Sequence, residues 1–189
     1  MGHDLEQKLE EFGKCLLKWN EKIALTSRSS DNFWKSHRGY IDEAYFLSGC
    51  LNPNQSVIDI GSGNGYPAIP LALLGHTVTM VDSNHKKGSF LKYVVSKLGL
   101  NATVITEDVQ HLKSPVVQLV TKAFASVTRT LTLTHNLYQP ETVYFMLKGE
   151  KLLDEIKEAE SHFTFSFKIH PFQGNNKGVL ELWNVRDVR

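Results

Sequence analysis

Apolar residues at Leu5, Leu9, Phe12, Leu16 and Trp19 recur at spacings of three and four, the period of one helix face. The chain therefore opens on an amphipathic helix with Asp4 as its expected cap. A second helix is expected from about Asp31 to Leu47, closed by Gly49 and the Asn52–Asn54 turn. From Ser56 the pattern changes to short apolar runs that alternate with helical stretches. "SVIDI", "TVTMVD" and "ATVIT" read as buried strands, while "AIPLALL" and "NHKKGSFLKYVVSKL" read as helices ended by Gly75 and Gly99. "VVQLVTKAFAS" and "TVYFMLKG" read as further strands with a helix between them, and another helix is expected over Lys151–Glu160. "FTFSFKIHPF" and "GVLELWNV" flank "QGNNKG" and predict a closing hairpin.

Such alternation implies βαβ units and a parallel sheet covered on both faces. The expected fold class is α/β, doubly wound and Rossmann-like. It has about seven mostly parallel strands, a terminal antiparallel hairpin and an N-terminal helical extension. Residues 1–54 form that extension and residues 55–189 one compact unit. At 189 residues and 41% hydrophobic, the chain needs no covalent staple, because roughly 70% of the unfolded surface is buried at this size. Cys15 and Cys50 show neither metal-ligand spacing nor a disulfide framework, and read as free thiols of a reducing, cytoplasmic setting. No apolar run approaches the roughly 20 residues of a membrane span, and no signal peptide or lipid anchor is expected. His37, His76, His85, His111, His135, His162 and His170 lack metal spacing, so no metal site is expected.

A net charge of +1 neither favours nor opposes nucleic acid, but its distribution is uneven. Lys14, Lys18, Lys22, Arg28, Lys35 and Arg38 are opposed between Phe12 and Arg38 only by Glu21 and Asp31. Lys86, Lys87, Lys92 and Lys97 lie in a stretch free of acids. A single cluster of this kind solvates a helix face. Two on one small domain shift the reading toward a polyanionic partner.

The stretch "VIDIGSGNGYPAIPLALLG" carries the candidate chemistry. Gly61, Gly63 and Gly65 follow the first strand of the sheet, where an open α/β sheet binds its ligand. A dinucleotide fingerprint would want glycine at the position of Tyr66. Asp59 also argues against a pyrophosphate, since unit charges ~4 Å apart interact by about 4 kcal/mol at an effective dielectric of ~20. Pro67 and Pro70 remove N–H groups from the next helix start that would otherwise attract phosphate. S-adenosylmethionine (SAM) carries a sulfonium and an ammonium instead, and a glycine loop preceded by an acid suits it. Asp82, ending the second strand, is placed to accept from both ribose hydroxyls, a role that NAD would share. The residues thus point to a SAM-dependent methyltransferase of class I and leave its acceptor open.

Several segments together resemble the RsmG family, also called glucose-inhibited division protein B. They are "LLKWNEKIALTS", "IDIGSGNGYPAIPLAL", "VDSNHKKGSFLK", "KAFASVTRTL" and "MLKG". The resemblance implies transfer of a methyl group from SAM to N7 of a guanine in 16S ribosomal RNA, the guanine at position 527. It makes that RNA or the small ribosomal subunit the partner of a monomeric enzyme. It also implies cofactor contacts: Gly61 opening the loop, Tyr66 packing beside the cofactor, Val109 and Gln110 at the adenine, and Lys122 reaching toward cofactor and RNA. The chain departs from the family at Ala68 for glycine, Gln110 for an acid, Lys122 for arginine and Asp108 for a basic residue. Arg38–Asp42 also lacks a usual histidine.

Guanine N7 has a free lone pair and no proton to lose, so no general base is required. Accordingly no certain catalytic residue is expected; Lys122 and Lys148 are candidates for positioning. Lys86, Lys87, Lys122, Arg129 and Lys148 are candidate RNA contacts, with Lys18, Arg28 and Arg38 from the extension. Trp19 and Asn20 are expected to lock the extension in place. Three alternatives stay open: a SAM enzyme with another acceptor, a catalytically weakened RNA-binding relative, and a nicotinamide-dependent oxidoreductase.

Overall fold

The computed structural model describes residues 2–27, 30–113, 115–172 and 177–188. Helix α1 spans Gly2–Asn20 and α2 spans Ser30–Ser48. Because α1 begins ahead of Asp4, that residue lies inside the first turn and pairs with Lys8 at 3.4 Å rather than capping the helix. At the other end, Asn20 Oδ1 accepts the N–H groups of Leu25 and Thr26, both at 2.9 Å, and fixes the chain's exit.

Strands and helices then alternate: β1 Val57–Ile60, α3 Ala68–Leu73, β2 Val78–Val81, α4 His85–Leu98, β3 Ala102–Ile105, β4 Gln118–Lys122, α5 Val127–Leu133, β5 Val143–Lys148 and α6 Leu152–Ala159. β6 Phe163–Pro171 and β7 Gly178–Asp187 form the antiparallel pair. The turn expected between them, Gln173–Asn176, lies outside the described residues. β4 is shorter than the apolar run "VVQLVTKAFAS" predicts, because Ala123 adopts a φ of 51° and leads the chain out of the sheet.

The seven strands form one sheet in the order β3-β2-β1-β4-β5-β7-β6, with β7 antiparallel to both its neighbours. The chain winds outward from β1 to β3 and then restarts at β4 on the other side of β1. A switch of this kind leaves a crevice above the carboxyl ends of β1 and β4. β1 is buried along its whole length, and β4 up to Lys122.

Two apolar clusters cover the sheet's faces. One joins Phe12 and Leu16 of α1 and Leu47 of α2 to Ile69, Leu71, Phe90 and Val94; the other joins Leu119, Val127, Leu131, Leu152 and Ile156. Phe12, Leu16 and Leu47 have no exposure, and each contributes roughly 1.5–3 kcal/mol by burial, so residues of α1 and α2 share the core of the sheet. Trp19 packs on Phe90 and Tyr93 of α4 at 5.8 and 5.4 Å between ring centroids. Gln118 fastens the approach to β1: Oε1 accepts from Asn52 N at 2.7 Å while Nε2 donates to the carbonyls of Asn52 and Gln55. Cys15 and Cys50 are free thiols. Among the described residues no helix is long and apolar enough to cross a membrane, and no cluster of side chains could hold a metal ion.

Candidate functional site

β1, which ends at the switch point, carries Asp59. The residue is 1% exposed, and its Oδ2 is closed off from solvent without a hydrogen-bond partner. Burial pushes this carboxyl up to about 7; the Ser62 hydroxyl and the Lys122 charge oppose the rise, and the Asp82 charge adds to it. A buried acid with an unsatisfied oxygen is costly in isolation, and a cation beside it offsets part of that cost.

The loop that follows it is held in place by backbone bonds. Gly61 and Ser62 donate to the Val81 carbonyl at 2.8 and 3.0 Å, and Gly65 donates to Ser62 at 2.7 Å. Gly61 and Gly65 adopt φ of 75° and 91°, and a Cβ there would stand 2.6 Å from Phe124 and 2.8 Å from Ile69. Gly63, at a φ of 50°, is the least crowded of the three: a Cβ there would touch Gly61 O at 3.5 Å and Asp82 Oδ2 at 3.8 Å without a clash. Asp82 secures the loop from β2. Its Oδ2 accepts from Gly63 N at 2.8 Å and its Oδ1 from Asn84 N at 2.8 Å. Each oxygen retains a second lone pair, enough for a ribose hydroxyl. Asn84 in turn caps α4 by accepting from Lys86 and Lys87 N.

Tyr66 is a correction. Its side chain, expected beside the cofactor, turns into the protein at 5% exposure, where the hydroxyl meets His37 Nδ1. The ring packs on Phe12 and Tyr40, each at 4.9 Å. Burial holds the phenol above its usual range and the His37 imidazole below its own, so the pair is neutral. Aromatic burial against α1 and α2 has claimed the ring. After β3, Val109 is buried in the second cluster while Gln110 is exposed. Asp108, a departure from the family, caps this short turn by accepting from Gln110 N at 3.0 Å.

The two strand-end lysines part company. Lys148 is a second correction: its side chain is 9% exposed, and its Nζ donates to the Ala125 carbonyl at 2.6 Å and to Glu155 Oε2 at 2.7 Å. Glu155 also accepts from Val127 N at 3.0 Å, so the trio fastens the start of α5, and two of the three Lys148 N–H groups are taken up within the protein. Lys122 stands 3.9 Å over the Tyr40 ring and 3.4 Å from Glu43 Oε2. It lines a cavity of about 490 Å³ together with Glu43, Phe46, Phe124 and Phe172.

Of the other basic candidates, Lys86, Arg129 and Lys18 are exposed, and Lys87 is half-buried with its Nζ about 4.0 Å from a Cβ built on Gly63. Arg38 lines a separate groove between α1 and α2, beside Trp34 and Tyr45, away from the strand ends. Arg28 lies outside the described residues. Sequence reasoning missed Tyr40, Glu43, Phe46, Phe124 and Phe172. No spacing rule links α2 to the end of β4, and only the proximity of Glu43 to the Arg38–Asp42 segment hinted at it.

Comparison with known proteins bears on this geometry. The family model described as GidB, rRNA small subunit methyltransferase G, matches residues 5–178. A ribosomal RNA small subunit methyltransferase G from Rickettsia prowazekii is 30% identical, with 98% of this chain and 97% of that protein covered. One from Gluconobacter oxydans is 28% identical, with 95% and 93% covered. Among solved structures, the magnesium protoporphyrin IX methyltransferase of Synechocystis with bound SAM shares the fold at a TM-score of 0.59 and 14% identity, covering 97% of both chains. A ribosomal protein L11 methylase from Lactobacillus delbrueckii shares it at 0.58 and 14% identity, covering 80% of this chain and 78% of that one.

Proposed function

We propose that this chain, which belongs to the GidB family of small-subunit rRNA methyltransferases, transfers a methyl group from SAM to N7 of a guanine in 16S ribosomal RNA. SAM-dependent methylation of rRNA is the activity of the family; the guanine, its N7 and its position 527 are the finer part of the reading. The observation that carries it is a pair of carboxylates framing the glycine loop, Asp59 buried beneath it and Asp82 accepting from Gly63 N at 2.8 Å. That group fits the cationic end of SAM and repels a diphosphate. Asp82, whose two oxygens each keep a lone pair beside their backbone bonds, fits the ribose hydroxyls. When bound, SAM supplies an electrophilic methyl group on a sulfonium.

The chain's own residues then have three tasks. Asp59 and Asp82 hold the cofactor in place, with Gly61 and the exposed Gln110 as further contacts. Phe124, packed against Gly61, helps exclude water between the cofactor loop and the cavity. Lys122 supplies positive charge at the cavity wall, while Lys86, Lys87 and Arg129 bind phosphates and orient the RNA. No residue must move a proton, because N7 attacks through a free lone pair; alignment and electrostatics suffice.

Incubation with tritiated SAM and unmodified 16S RNA, followed by mapping of the labelled nucleotide, tests the reading. Label in a 7-methylguanine at position 527 is the expected result. Label in another base, or in protein, would replace the acceptor. Calorimetry that detects no SAM binding would point to a catalytically silent RNA-binding relative.

A further inference from the structure

Two exposed aromatic side chains, Trp34 at 41% and Tyr45 at 44%, line a groove of about 690 Å³ between α1 and α2. With Arg38 and Ile41 between them they follow spacings of four, three and four along one face of α2. The seat of Trp34 depends on a glycine: a Cβ on Gly13 of α1 would stand 2.7 Å from the indole. The floor is buried and fixed, since His37 Nε2 meets the Leu9 carbonyl at 3.0 Å and ties the two helices together. A preformed groove of this kind costs little ordering to fill. Solitary surface aromatics are ordinary. Two that converge on one groove are anchors of the type around which a partner's segment packs.

Charge identifies the occupant. Among the described residues that line the groove, Glu6, Glu10 and Asp42 are acids and Arg38 is the one cation. Glu10 pairs with Lys14 at 2.8 Å, whereas Glu6 and Asp42 are exposed and have no ion-pair partner among the described residues. These carboxylates repel phosphate and attract lysine or arginine. An RNA strand is better met by Lys86, Lys87 and Arg129, and a basic protein segment is better met here.

We propose that the groove docks a lysine- and arginine-rich segment of a protein bound to the small-subunit rRNA, so that the enzyme grips its substrate as a ribonucleoprotein. This rests on the rRNA substrate of the reading above, but not on the guanine or its N7. A protein that neutralises rRNA phosphates must carry many Lys and Arg side chains, so the coat of the substrate supplies the charge that complements Glu6 and Asp42. The aliphatic stems of those side chains pack between Trp34 and Tyr45, and their charged ends reach the two carboxylates.

The test measures methyl transfer by the full chain to unmethylated small subunits and to the bare 16S RNA extracted from them. Trp34→Ala should lower kcat/KM on the subunits by about tenfold, the loss of one aromatic anchor, without lowering it on the bare RNA. Glu6→Lys, a reversal of an exposed charge, should lower it several-fold on the subunits alone, with Tm and SAM affinity as in the wild type. Should Trp34→Ala not fold, Glu6→Lys decides. Should the wild type label subunits only, retained SAM affinity by calorimetry replaces the bare RNA as the control. Parallel losses on both substrates, or full activity of both variants on subunits, would overturn the proposal. So would a wild type that labels bare RNA but not subunits. Sedimentation showing a dimer that Trp34→Ala dissociates would give the groove to a second copy of this chain instead, and would overturn it too. A wild type that labels neither substrate would bring down the rRNA reading beneath it.

Discussion

On the β1–β2 side of the strand ends, the glycine loop and the two acids that frame it lie between Asp59 and Asn84. On the β4–β5–β7 side, the cavity draws Glu43 and Phe46 from α2, Lys122 and Phe124 from the end of β4, and Phe172 from the end of β6. The first half is made mostly of backbone: glycines at positive φ, N–H groups on Asp82 and a carboxylate fixed by the strand. The second is made of side chains brought together by packing. A backbone-built pocket is specified locally and serves a constant ligand. A side-chain-built pocket can change its selectivity by single substitutions while the sheet stays as it is.

The largest test of this contrast is the pH response of Asp59. Its folded pKa of about 7 is raised above the ordinary carboxylate value, so the stability it contributes is fully present below about pH 4 and lost as pH rises toward 7. The span corresponds to something on the order of 4 kcal/mol. Denaturant melts of Asp59→Asn should therefore lose that pH dependence, and SAM affinity should climb between about pH 6 and 8 in the wild type only. Flat wild-type behaviour over that range would mean that Asp59 is not buried unpaired.

Next comes Asp82→Ala, which removes the acceptor of two backbone N–H groups as well as the ribose partner. Calorimetry should show SAM binding weakened by about a hundredfold, from two lost charge-assisted bonds. Native affinity would break the view that this half is fixed by local bonds. Lys148→Met should lower stability by about 2 kcal/mol, a drop in Tm of roughly 4–8 °C, because it strands Glu155. SAM affinity should hold in that variant. If RNA binding fell without any change in Tm, Lys148 would return to the RNA surface. The smallest effect is expected from Lys86→Ala, an exposed side chain at the start of α4. One lost phosphate contact should weaken RNA binding a few-fold and reduce the salt slope by about 0.7–0.9.

Much of this was legible in advance, for reasons that differ by element. The helix spacing of Leu5 to Trp19 and the alternation after Ser56 are local periodicities, and α1, the sheet and the terminal pair follow from them. Asp4 failed as a cap because α1 continues past it, an extra half-turn that packing does not penalise. Tyr66 misled because a glycine loop announces only where the backbone approaches a ligand, not which way the next side chain turns. The destination of that ring is set by Phe12, Tyr40 and His37, all remote in sequence. Lys148 looked like Lys122 for the same reason: both end apolar strands, and only the position of Glu155 on α6 separates them.

The sequence by itself determined the order of strands and helices, the glycine loop and the two acids that frame a cationic cofactor. Those features depend on neighbours within a few residues, where backbone geometry and period leave little choice. Tertiary structure alone decided which lysine is tied down, where Tyr66 points, and that Glu43 pairs with Lys122 on the wall of a cavity. Such contacts join segments far apart in the chain, and their partners are chosen by how the layers pack, which no local pattern encodes.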